Sequence, residues 1–129
     1  MIVIDASAMV EWLFETPSGA QIEQRAISDA DICAPHLIDL EVAQTLRKLA
    51  RAQKISTSLA LQVLDDFRDM DITRYGHEGF LPRIWGLRDT CTAYDAVYVA
   101  LAESLAATLI THDPKLAAAH GHNARIELL

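Results

Sequence analysis

Positive charge is in short supply: 11 lysines and arginines face 18 acids, leaving a formal charge of −7 over 129 residues. No generally positive field is available to hold a polyanion, so any such contact needs a local patch. Cysteine is scarcer still. Cys33 and Cys91 stand far apart with no C-x-x-C spacing, which argues against a disulfide framework or a thiolate zinc site. Reduced thiols and a cytoplasmic setting are expected. The opening MIVIDAS has no basic leader, and no stretch approaches the roughly 18 uncharged residues of a membrane span. No membrane partner is expected. Repeats, low-complexity tracts and linkers are lacking too, so residues 1–129 read as a single domain.

What the chain does have is apolar residues, 51% of the total with Ala and Leu prominent, which favours a helix-rich globular protein. Met1 to Ile4 reads as a short buried strand ending at Asp5, and the following SAMVEWLF has helical spacing. After the turn signal TPSG, a helix from about Ala20 to Ile27 leads to a strand in DICAP. Helices follow over 37–53 and 58–70, the second capped by Ser56 or Thr57, with a weak strand in DITRY. GFLPRIWGLRDT allows only a short helix, because Pro82 suits a first turn and Gly86 weakens the interior. Then come a helix in TAYDAVYVALAESL, a strand in TLITHD, a helix in PKLAAAH and a strand in ARIELL. Short buried strands alternating with helices predict an α/β fold around a parallel sheet covered on both faces.

In such a sheet the chemistry gathers beyond the carboxyl ends of the strands. Asp5 and Asp113 close two strands there, and each also suits a helix N-cap, Asp113 with Pro114 behind it. Glu41 lies near the apolar stripe of its helix. Asp95 heads a helix otherwise built to be buried, three residues after a capping Thr92. Four separate caps or surface acids would account for them, but so would convergence on one place. Converging carboxylates repel and call for a cation, and oxygen donors without Cys or His suit a hard ion, Mg²⁺ or Mn²⁺. Such ions serve phosphodiester hydrolysis.

The strings DASAMV, PHLIDLEVA, TAYDAVYVALA and LITHD together resemble the PIN-domain ribonucleases, and among them the VapC-type toxins of bacterial toxin–antitoxin modules. The resemblance spans essentially the whole chain. It implies a three-layer α/β/α fold with a central, mainly parallel sheet of about five strands. It also implies a Mg²⁺- or Mn²⁺-dependent endoribonuclease with one or two ions at Asp5, Glu41, Asp95 and Asp113. Ser7 and Thr111 match auxiliary hydroxyl positions. A homodimer and a small antitoxin protein are implied as partners, with Trp12, Leu13 and Phe14 of the first helix expected to be exposed for part of that interface. With no separate general base evident, Glu41 stands as ligand, water-orienting group or both.

Setting the four acids aside takes the charge only from −7 to −3, so RNA contact falls to a local patch. Arg47, Lys48, Arg51 and Lys54 share one side of the Glu41 helix, reading either as a solvated face or as a guide for RNA phosphates. Arg83 and Arg88 are second candidates, and His112 is a candidate rim residue. A receiver-type phosphoacceptor would show paired acids after the first strand, and an aspartyl phosphatase D-x-D; the chain has D-A-S. The stronger rival is a PIN-like binding domain without turnover.

Overall fold

The computed structural model describes residues 1–29 and 31–129. Five short strands form its centre: β1 (Ile2–Ile4), β2 (Ile32–Pro35), β3 (Ile72–Tyr75), β4 (Thr108–Thr111) and β5 (Arg125–Leu128). They lie in the order β3-β2-β1-β4-β5, and every pairing is parallel. Parallel strands need crossovers, and helices supply them: α1 (Ala6–Leu13), α2 (Pro17–Ile27), α3 (Leu37–Arg51), α4 (Thr57–Asp69), α5 (Leu81–Gly86), α6 (Ala93–Leu105) and α7 (Pro114–Ala117). Helices α1 to α4 pack together as one layer, while α6 lies against β1, β2 and β4 with α5 beside it. The result is a three-layer α/β/α fold, as the sequence predicts.

Burial explains the strand sequences. Ile2, Val3, Ile4, Leu109 and Ile110 are fully buried, so the central strands read as continuous apolar runs instead of alternating. Helix α6 is buried without a break from Ala96 to Ala102, which explains its lack of a polar face. It ends at Ala106, whose left-handed conformation (φ 50°) stops the helix and turns the chain into β4.

Helix α2 starts earlier than the sequence suggests. TPSG looks like a turn, but Thr16 accepts a hydrogen bond from the Gly19 N–H and Pro17 takes the first helical position. Gly19 then sits so close to α1 that an added Cβ would lie 2.0 Å from the Glu11 carbonyl oxygen. The two helices touch through backbone at that point.

The chain runs outward from β1 to β2 and β3, then returns to β4 on the other side of β1. The direction of winding therefore reverses between β1 and β4, and the crevice beyond their carboxyl ends is where such sheets place ligands. Asp5 follows β1, Thr111 ends β4, and His112 and Asp113 follow it.

Candidate active site

Asp5 is built into the end of β1 as a buried, fully engaged carboxylate, 5% exposed. Its Oδ1 accepts from the Ala8 N–H (2.9 Å), capping α1, and from the Ser7 hydroxyl (2.7 Å). Its Oδ2 accepts from the Thr111 hydroxyl at 2.5 Å. The two hydroxyls are themselves anchored by backbone: Ser7 Oγ accepts from the His112 N–H and Thr111 Oγ1 from the Asp113 N–H, both at 3.0 Å. Ser7 and Thr111 thus tie the ends of β1 and β4 together through one acid. Thr111→Val keeps the shape but strips Asp5 Oδ2 of its donor and Asp113 N–H of its acceptor. A loss of about 1–3 kcal/mol is expected, read as a lower urea midpoint at unchanged slope.

The other acids come from three further elements. Asp95 stands in the first turn of α6, where Thr92 Oγ1 accepts from its N–H at 3.1 Å. Asp113 caps α7 by accepting from the Lys115 N–H at 2.9 Å. Glu41, in the second turn of α3, accepts at Oε1 from the Tyr98 hydroxyl at 2.8 Å. Tyr98 is 1% exposed, three residues beyond Asp95 on α6. Its phenol proton is held by burial and by the Glu41 carboxylate, so Tyr98 is a permanent donor. The sequence reading missed this link. A hydroxyl inside an otherwise apolar buried helix requires a partner, and that was the available signal.

The four carboxylates form one electrostatic group. Burial pushes the Asp5 carboxyl up, against its three hydrogen bonds, and the Asp95 charge adds to the rise. Burial likewise raises Glu41, with Asp5 and Asp95 contributing like-charge repulsion. Asp95 is raised by burial and then by Asp113. Among the described residues none of the four is ion-paired. An all-oxygen, half-buried group of uncompensated negative charges matches the donor chemistry of a hard divalent cation. As they stand, the side chains keep to their present partners. No group of three or more His, Cys, Asp or Glu at ion-holding spacing occurs among the described residues. Asp5, Glu41 and Asp113 are each turned toward the hydrogen bonds just described.

Around this group the expected surface contacts sort differently. Arg47, Lys48, Arg51 and Lys54 are all exposed, but of these Lys48 lines the groove that contains Glu41. Arg83 is engaged: its Nε and Nη2 bind the two Glu103 oxygens at 3.1 and 3.0 Å, and Nη2 also reaches the Gly121 carbonyl. Arg88 is exposed, with its guanidinium 4.9 Å from the Trp85 ring centre. His112 is not a free rim residue. Its Nδ1 donates to the Leu129 carbonyl at 2.5 Å, and Nε2 lies 3.8 Å from Glu11 Oε1. Trp12, Leu13 and Phe14 are partly buried against the core, not exposed as expected, because α2 packs onto α1. The large exposed apolar side chains lie elsewhere, with Leu40, Trp85 and Tyr94 each more than 60% exposed.

Residues 2–121 match the PIN domain, so the chain belongs to the PIN domain family. Within it the chain resembles VapC-type proteins. It is 43% identical to Ribonuclease VapC12 of Mycobacterium tuberculosis over 129 residues, covering 100% of this chain and 99% of that one. It is 39% identical to Ribonuclease VapC9 of the same organism over 116 residues, 90% of this chain and 88% of the relative. The fold is shared with PAE2754 from Pyrobaculum aerophilum (TM-score 0.72, 24% identity, 97% and 81% covered). It is shared as well with VapBC2 from Rickettsia felis bound to a promoter DNA fragment (TM-score 0.70, 15% identity, 100% and 99% covered).

Proposed function

We propose that the chain is a Mg²⁺- or Mn²⁺-dependent endoribonuclease, the toxin of a toxin–antitoxin pair whose antitoxin is a separate small protein. The observation that carries this is the electrostatic coupling of Asp5, Glu41, Asp95 and Asp113 at the sheet's switch point with no cationic side chain among them. Kinship with relatives named as VapC ribonucleases supports it. Asp5, Asp95 and Asp113, with Glu41, would hold one or two ions. A bound divalent ion supplies charge neutralisation at the phosphate and a lowered pKa for water.

The chain's own residues do the rest. Ser7, Thr111 and the Ala8 N–H fix Asp5, so its position does not depend on substrate. Tyr98 fixes Glu41 through Oε1, leaving Oε2 to orient a water for in-line attack. That attack forms a bond from the water oxygen to phosphorus and breaks the bond to the 3′ oxygen, giving 5′-phosphate and 3′-hydroxyl ends. Homodimerisation belongs to the same reading, with the exposed Trp85 available for contacts between copies.

The test is cleavage of total cellular RNA with Mg²⁺ or Mn²⁺, mapped at the new ends. Discrete cuts that vanish in chelator and in Asp5→Asn are expected. The rival, a PIN-like domain that binds RNA or protein without turnover, draws on the absence of ion-holding spacing among the described residues. Folded, antitoxin-free, metal-loaded protein that cuts nothing in a broad pool would establish it.

Tyr98→Phe probes the support of Glu41. Removing the donor should lower kcat by about 10- to 100-fold, the usual cost of losing an outer-shell partner, with KM little changed. Equal kcat for the two proteins would show that Glu41 needs no such anchor.

A further inference from the structure

Helix α3 carries Glu41, Gln44 and Lys48 at offsets of three and seven, the spacing of one helix face. That face lines an open groove of about 460 Å³, together with Ser7 of α1 and Tyr94 of α6. The groove leads out of the acid group. Glu41 belongs to both, Ser7 binds Asp5, and Tyr94 directly precedes Asp95.

Three side chains in this groove lack an internal task. Among the described residues the Tyr94 hydroxyl, the Gln44 amide and the Lys48 ammonium make no hydrogen bond or ion pair, and all three are exposed. Tyr94 is 64% exposed, so most of its ring is open to solvent. An aromatic face, an amide that both donates and accepts, and an ammonium are together the chemistry that recognises one unpaired nucleotide. The volume falls within the roughly 300–1,000 Å³ of small-ligand sites.

We propose that this groove seats the RNA nucleotide beside the scissile phosphate, with its base stacked on Tyr94, its edge read by Gln44 and its phosphate paired with Lys48. The assignment rests on the nuclease reading above and adds to it where sequence preference arises. It also answers the charge problem, because a single cation placed along the groove serves where the acidic chain as a whole repels RNA.

The experiment uses a single-stranded oligonucleotide carrying one mapped cut and a mixed RNA pool, with wild type, Tyr94→Ala, Tyr94→Phe and Gln44→Leu, and Asp95→Asn as the blank. Tyr94→Ala is expected to raise KM about tenfold, the loss of one stacked base, while kcat stays within about twofold. Tyr94→Phe should keep the wild-type KM, because the ring and not the hydroxyl stacks. Gln44→Leu should relax the nucleotide preference at one position next to the cut. If wild type cuts and both Tyr94→Ala and Gln44→Leu reproduce its KM and cut positions, the subsite is overturned and the nuclease stands. If those variants keep the cut pattern but sediment as monomers where wild type is a dimer, the groove is a contact between copies and the subsite is likewise overturned. If wild type makes no cut while the protein is folded and metal-loaded, the nuclease reading itself falls and takes the subsite with it.

Discussion

Asp95→Asn is expected to melt a few degrees above wild type in chelator and, with Mg²⁺ or Mn²⁺ supplied, to lose about a thousandfold in RNA cleavage, equivalent to about 4 kcal/mol of transition-state stabilisation. The two effects have one cause. Asp95 is raised by burial and by the Asp113 charge, so the ionised form is disfavoured in the folded protein. An amide of the same shape removes that repulsion, and with it a donor oxygen for a cation. Asp5→Asn should behave alike in activity but gain less in stability, because its three hydrogen bonds already favour the charge.

The pH dependence follows from the same shifts. Asp5, Glu41 and Asp95 all have folded values raised above the ordinary 3.8 for Asp and 4.5 for Glu. The folded state therefore holds more protons than the unfolded state, and these groups stabilise the fold fully only below those ordinary values. Their contribution is lost as pH rises from there through the folded values. Melting curves in chelator should show wild type losing more stability than Asp95→Asn over that rise. A parallel pair of curves would mean that Asp95 carries no strain.

Gly19→Ala is expected to be the most damaging of the glycine-to-alanine changes. A Cβ there meets the Glu11 carbonyl at 2.0 Å, and the obstacle is backbone, which has no rotamer to yield. Overpacking typically costs about 1–3 kcal/mol, and a clash with main chain belongs at or above the upper end. Relief requires α2 to move off α1, and α1 begins at the Asp5 cap with Ser7 in its first turn. Thermal melting should therefore fall by about 10 °C or more, with cleavage lost in proportion at temperatures where the variant is still folded. A melting point within a degree of wild type would show that the two helices separate freely.

Much of this was legible in the sequence for identifiable reasons. A central strand of three β-branched residues followed by an acid, IVID, announces a buried parallel sheet with its working edge. Helix starts were less certain, because Thr-Pro-Ser-Gly serves equally as a turn and as an N-cap with Pro at the first position, and only the packing of α2 on α1 decides. Arg83 looked available because its partner Glu103 lies 20 residues on, in a helix whose sequence reads as otherwise apolar. Trp12, Leu13 and Phe14 looked exposed because periodicity says which face is apolar and nothing about what covers it. For the site, Asp5, Asp95 and Asp113 were readable as acids at element ends, Glu41 as an acid beside an apolar stripe, and all four from family resemblance. The Tyr98 to Glu41 contact spans 57 residues, so the buried hydroxyl signals a partner without saying which residue it is.

The pairing of β1 with β4 sets Ile2 opposite Thr108, although more than a hundred residues of chain separate them. During synthesis the N-terminal strand emerges early and must wait for this neighbour, and with it for Thr111 and Asp113. A nascent chain that has reached only α5 carries Asp5 without the Thr111 hydroxyl, one of its three partners, and Glu41 without the helix that positions it. The acid group comes into being all at once, after residue 113 has left the ribosome. For the nuclease proposed above, topology alone would keep it harmless to the machine that makes it until that moment.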